Sequence, residues 1–221
     1  HRDLHSFPTR RSSDLSDRDG CSAKLAECLK NAPAANQAYV LELLGKISGA
    51  KALEIVIATA KSNDAAVKDV ATQVLGKWVN ADAAPALLEI AKSDADAKYQ
   101  TRALRGFIRI ARQLQLPEAK RLEMFQTAME AAKRVEEKQL ALDILTRIPS
   151  AKTLELTVSY LGQPGLKGAA AQAAVKIAPK LVARDPKAVA EAMQKLTDAG
   201  ITGPTAVRAK QLLGQAQAAS K

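Results

Sequence analysis

The 221-residue chain carries 33 Lys and Arg against 23 Asp and Glu, a net charge of +10, with 47% hydrophobic and 25% charged residues. These fractions argue against a disordered chain. Aromatics are only 3% and alanine fills 44 positions, which disfavours a β-sandwich or barrel and favours helices packed through small side chains. No run reaches the roughly 20 consecutive apolar residues of a membrane span.

At the start of the chain, His5-Ser6-Phe7-Pro8-Thr9-Arg10-Arg11-Ser12-Ser13-Asp14-Leu15 resembles one reading frame of a common sequencing-adapter oligonucleotide. Residues 1–15 are therefore expected to be an artefactual, disordered leader, joined to a single domain over 16–221 cut from a longer, metagenomic parent. Removing the leader takes out three Arg and two Asp, so the remainder keeps +9 of the +10. It also removes His1 and His5, the only two histidines. Residues 16–221 thus lack the imidazole that Ser-His-Asp or Cys-His catalysis and His-containing zinc sites require. The expectation is a protein that is not an enzyme and holds no cofactor or metal. Compartment is left open.

From residue 20 onward, apolar positions recur at three- and four-residue spacing between short polar or Gly/Pro breaks, the pattern of consecutive amphipathic helices. Twelve helices are predicted, over 20–31, 34–48, 50–61, 64–79, 83–93, 96–114, 118–133, 136–148, 151–162, 166–183, 186–198 and 204–218. Start signals stand at Asn63-Asp64, Pro117-Glu118, Ser150, Asp185-Pro186 and Gly203-Pro204. The second helix of each pair repeats one apolar pattern. It reads Val40, Leu43, Leu44, Ile47; Ala71, Val74, Leu75, Trp78; and Leu104, Phe107, Ile108, Ala111. It continues as Ala141, Ile144, Leu145, Ile148; Ala170, Ala173, Ala174, Ile177; and Ala209, Leu212, Leu213, Ala216. The third members are 31, 33, 37, 29 and 39 residues apart. Two helices per period of this size predict an all-α solenoid of about six helix pairs with no β-sheet.

At these residues the chain resembles the HEAT-repeat family, most clearly at Asp64-Ala65-Ala66-Val67-Lys68-Asp69-Val70-Ala71 leading to Val74-Leu75-Gly76. The resemblance spans about residues 20–218 and implies a right-handed α-α superhelix of the HEAT/armadillo kind. Tetratricopeptide repeats fit less well, because the steps vary and their Trp, Gly, Tyr and Pro landmarks do not recur. Ala103 to Arg109 and Glu136 to Leu142 look like HEAT modules of large environmental-bacterial proteins, which often sit beside sugar-active or haem-binding domains.

Two basic features are candidate interaction surfaces. Lys98, Arg102, Arg105, Arg109 and Arg112 fall within an arc of about 80° on one helix, opposite its apolar face. Guanidinium forks on such a stripe pair bidentately with phosphate or carboxylate. The same arginines also serve as partners for acids on adjacent helices. Stacking in register is expected to bring Arg102 to Asp69, with Glu118 or Glu123 approaching from the following helix. Lys46, Lys77, Arg147 and Lys176 share one repeat position just before the last apolar residue. Stacked repeats would line these cations into a row that attracts nucleic acid or an acidic protein surface, although a cation in a helix's last turns also complements the dipole.

Other features are expected to be structural. Cys21 and Cys28, seven residues apart on one helix and about 10 Å along its axis, are expected to be small core residues rather than a disulfide or metal site. Gly45-Lys46-Ile47-Ser48 lacks the landmarks of a phosphate loop. Glu136 and Glu137, adjacent on a helix, diverge by about 100° and do not form a carboxylate dyad. Trp78 and Phe107 fall on the apolar pattern and are expected in the core. HEAT-like alkylpurine DNA glycosylases are also basic solenoids, but they line a DNA-facing groove with aromatics and an acid, and the aromatics here are scattered. The reading is a non-catalytic scaffold, monomeric, binding a protein partner or another domain of its parent chain. The alternative is a solenoid that binds the nucleic-acid backbone through its basic face.

Overall fold

The computed structural model describes residues 13–220. Residues 1–12, the bulk of the expected leader, lie outside it. The described residues form twelve helices and no strand: α1 (Ser13–Asn31), α2 (Ala34–Ile47), α3 (Ala50–Ala60), α4 (Ala65–Gly76), α5 (Ala84–Ser93), α6 (Ala97–Gln113), α7 (Glu118–Ala131), α8 (Val135–Leu145), α9 (Ala151–Ser159), α10 (Lys167–Ile177), α11 (Pro186–Asp198) and α12 (Gly203–Ala219). Short 3-10 turns cover Ala81–Ala83, Tyr160–Gly162 and Ala178–Lys180. The number and order of helices match the sequence reading. The largest boundary difference is in α1, which starts at Ser13 rather than residue 20.

Local chemistry accounts for the breaks. The Asp64 side chain caps α4 by accepting from the Ala66 and Val67 N–H groups at 2.9 and 3.3 Å. Ser150 opens α9 with a capping box: its Oγ accepts from Thr153 N–H at 3.2 Å while Thr153 Oγ1 accepts from Ser150 N–H at 3.1 Å. Pro186 opens α11 in the first turn, where its missing N–H costs nothing, and Asp185 pairs with Arg184 at 3.1 Å instead of capping. α2 closes on Ser48 at φ 58°, a left-handed residue whose Oγ donates to the Gly45 carbonyl at 2.6 Å.

The chain divides into two compact units, one ending at Gly106 and the other beginning at Phe107. In the first, α1 packs on α2, α3 on α4, α1 on α3 and α2 on α4. First helices therefore stack on first helices, and second on second, as in a solenoid. The core holds Leu41, Leu44, Val56, Leu75, Trp78 and Leu87. Gly106 marks a close backbone approach: a Cβ there would lie 2.8 Å from the Gly76 Cα and 3.2 Å from Leu87 Cδ2.

In the second unit α7 packs on α8, α9 on α10 and α11 on α12, while α8 meets α10, α9 meets α11 and α10 meets α12. α10 buries Ala170, Ala171, Ala173 and Ala174, which is where the alanine-rich composition acts: small side chains let one helix sit against neighbours on several sides. Phe125 and Tyr160 add an edge-to-face contact at 6.0 Å. The repeated apolar pattern is buried throughout except at Leu43, Ile47, Val74 and Leu213, which are half-buried.

Candidate interaction surface

The stripe on α6 begins in the first unit. Lys98 and Arg102 converge on Asp69 of α4, with the Arg102 guanidinium 3.0 Å from Asp69 Oδ1 and the Lys98 ammonium in direct contact with the same oxygen. Arg102 Nη1 also donates to the Asp69 carbonyl and to Thr72 Oγ1, each at 2.8 Å. Gln73 donates to the other carboxylate oxygen at 2.8 Å. The Lys98 hydrogen bond, helped by Arg102 and Gln73 against the effect of burial, holds the Asp69 carboxyl below its ordinary value. The expected meeting of Arg102 with Asp69 is therefore present. Beneath it lies buried Tyr99, with Lys68, Lys98 and Arg102 at 4.7, 5.3 and 5.8 Å from its ring centre. The Tyr99 hydroxyl donates to the Ala65 carbonyl at 3.2 Å. Lys68 pairs with Asp94 at 2.8 Å. Burial raises the Asp94 carboxyl, but Lys68 and backbone N–H groups outweigh it and the net direction is down. Arg105 is exposed.

In the second unit the stripe ends at Arg112, which meets Asp143 of α8 at 2.7 Å. Lys176 of α10 reaches the other oxygen of Asp143 at 3.1 Å. Burial again opposes ionisation of this carboxyl, yet Lys176 and Arg112 together hold it below its ordinary value. The acid at this end is thus Asp143 rather than Glu118 or Glu123. Glu123 is engaged within its own helix by Lys120 at 2.8 Å, on a first helix of a pair, whereas Arg112 and Asp143 both lie on second helices. Arg109 is half-buried, donates to Gln113 at 3.4 Å, and has its guanidinium pushed down by burial.

The row residues separate in the same way. In the first unit Lys46 and Lys77 are exposed and border one cleft between α2 and α4, of about 240 Å³, with Glu42, Gln73 and Val74. In the second, Lys176 is tied to Asp143, and Arg147 is exposed with its carbonyl accepting from Arg121 at 3.1 Å. Sequence reasoning missed Asp143, Thr72, Tyr99, Lys68 and Asp94. Asp143 stands 31 residues after Arg112 and 33 before Lys176, out of register with the local repeat steps of 37 and 29.

The cysteines correct another expectation. Cys21 and Cys28 are both free and exposed, not core residues. The inward face of α1 is set by buried Ser22 with Leu25, Ala26 and Leu29 at helical spacing, and that face turns the cysteines outward. Among the described residues, no three His, Cys, Asp or Glu side chains are grouped to hold a metal ion, and no helix is long and apolar enough to cross a membrane.

Residues 22–107 match the family model of HEAT repeats. First and second helices stack on their own kind in both units, so the described residues are all-α helix-pair repeats, of which residues 22–107 are similar to HEAT repeats. Among solved structures it is similar to the crystal structure of an engineered protein from the Northeast Structural Genomics Consortium, at 17% identity and a TM-score of 0.50 over 92% of this chain and 97% of that one. That likeness is one of fold. The complex of CpcE and CpcF of phycocyanin lyase from Nostoc sp. PCC7120 aligns at 17% identity over 97% of this chain and 100% of that one, with a TM-score of 0.34. No curated protein matches the chain in sequence.

Proposed function

We propose that this chain is a non-catalytic scaffold whose repeats present a docking surface to a protein partner or to another domain of its parent. The observation that carries the reading is the use made of the cations. Lys98, Arg102, Arg112 and Lys176 pair with Asp69 and Asp143, so they act chiefly as ties between neighbouring second helices. A track for phosphates requires cations turned to the ligand. The absence of histidine from residues 16–221 further supports a role in binding rather than acid–base chemistry.

The rival reading is a nucleic-acid-binding solenoid, and it rests on exposed Arg105 with half-buried Arg109 one turn away. The test is the double variant R105E/R109E, compared with the parent for binding a fluorescein-labelled 24-base-pair DNA duplex by anisotropy, with circular dichroism as the folding control. The scaffold reading expects less than a twofold change in an already weak affinity. A loss of more than tenfold at an unchanged unfolding midpoint would establish the nucleic-acid reading instead.

A further inference from the structure

Two of the four half-buried members of the apolar pattern, Leu43 and Ile47, line one trough in the first unit. This shallow trough of about 490 Å³ runs between α1 and α2, lined by Cys21, Lys24, Leu25, Leu43, Lys46 and Ile47. Its floor is Leu25, Leu43 and Ile47, all half-buried. Each rim bears an exposed lysine, Lys24 on α1 and Lys46 on α2. One helical turn before Leu43, on the same face of α2, Tyr39 is 63% exposed. A large exposed tyrosine beside half-covered leucines is the composition of an interface anchor. Beyond Lys46, the cleft toward α4 adds Lys77, with Glu42 as the single carboxylate among its lining residues.

We propose that this trough docks an acidic amphipathic helix of a partner protein. A trough between two helices takes a helix that lays an apolar stripe along its floor, and lysines on both rims select one whose stripe is flanked by carboxylates. A second copy of this chain is disfavoured, because a two-fold contact would set Lys24 and Lys46 against their own like charges. Nucleic acid is disfavoured by the apolar floor, which offers nothing to a phosphate backbone. The assignment rests on the protein-scaffold reading and specifies where and what that scaffold binds.

The experiment uses the full chain and a fluorescein-labelled 16-residue helical peptide with leucines at i, i+3, i+4 and i+7 spacing and glutamates on the flanks. A matched peptide carries lysine for every glutamate. The glutamate peptide is expected to bind the parent, to bind K24E/K46E at least tenfold more weakly, and to bind R105E/R109E as it binds the parent. The lysine peptide is expected to reverse the order, binding K24E/K46E better than the parent. Lys24 and Lys46 are exposed side chains, and circular dichroism checks that each variant keeps the parent's unfolding midpoint. Equal binding to the parent and K24E/K46E, or no binding to the parent, overturns the assignment. Peptide binding lost in R105E/R109E but kept in K24E/K46E overturns the trough while leaving the scaffold reading intact. Strong duplex binding with no peptide binding removes both.

Discussion

At Gly106 the distance between two second helices is decided by the lack of one carbon. A Cβ there would press on the Gly76 backbone at 2.8 Å, which has no side chain to move aside, whereas a Cβ on Gly76 itself meets nothing within 4 Å. G106A is therefore expected to destabilise the fold by about 1–3 kcal/mol through overpacking, and G76A to be neutral or to stabilise it by up to about 1 kcal/mol through helix propensity. Urea midpoints followed by the fluorescence of Trp78, the single tryptophan and 1% exposed, separate the two. Equal effects would show that the close approach does not constrain the packing. Single residues also show where sequence reading succeeds. Trp78 and Phe107 lie on the apolar pattern and are buried, because a pattern repeated in every second helix marks the face its neighbours cover. Cys21 and Cys28 share a face, which spacing does give, but spacing does not give which face the neighbours cover. That choice belongs to Ser22, Leu25, Ala26 and Leu29.

Between elements, two aspartates do similar work. Asp69 receives cations from the next second helix, and Asp143 receives Arg112 from the helix before and Lys176 from the helix after. Both carboxylates are mostly covered, at 26% and 22% side-chain exposure. D69A and D143A are each expected to cost about 1 kcal/mol, with non-additivity between D69A and R102A in a double-mutant cycle. Strictly additive effects would mean that the pair contributes nothing. The pH dependence has a definite sign. The carboxyls of Asp69, Asp94 and Asp143 are held below 3.8 in the folded chain. Their contribution is therefore complete above that unfolded-state value and is lost as pH falls through the lower folded values. Urea midpoints are expected to fall below pH 4, with a shallower decline in D69N/D143N; parallel acid profiles would contradict the pairing. The Asp69 contact was legible in the sequence because Arg102 follows it by 33 residues, the same step that separates Leu75 from Ile108. Asp143 was not, because the next steps are 37 and 29, so Arg112 sits six residues and Lys176 four residues past the position in register with it. Long side chains cross those offsets, and a one-dimensional pattern does not show it.

Along the chain, helix order and pairing were readable because several boundaries carry their own chemistry, such as Asp64, Ser150 and Pro186, and because one apolar pattern recurs six times. No binding role is written in that pattern, since the regularity of stacked repeats serves their mutual packing. The whole-molecule property that bears on function is the charge of +10. A surplus of that size attracts polyanions at low salt whatever the protein's role, so affinity at one ionic strength decides little. The salt slope decides more, because it counts the phosphates engaged. The most direct measurement is the binding of the full chain to the 24-base-pair duplex from 50 to 300 mM NaCl. With Lys98, Arg102, Arg112 and Lys176 committed to Asp69 and Asp143, the account predicts an affinity no tighter than about 100 μM at 150 mM salt and a log–log slope shallower than about −2. Micromolar binding at 150 mM with a slope of about −4 or steeper would contradict it, and the basic face would then be a nucleic-acid track rather than the seam of a protein scaffold.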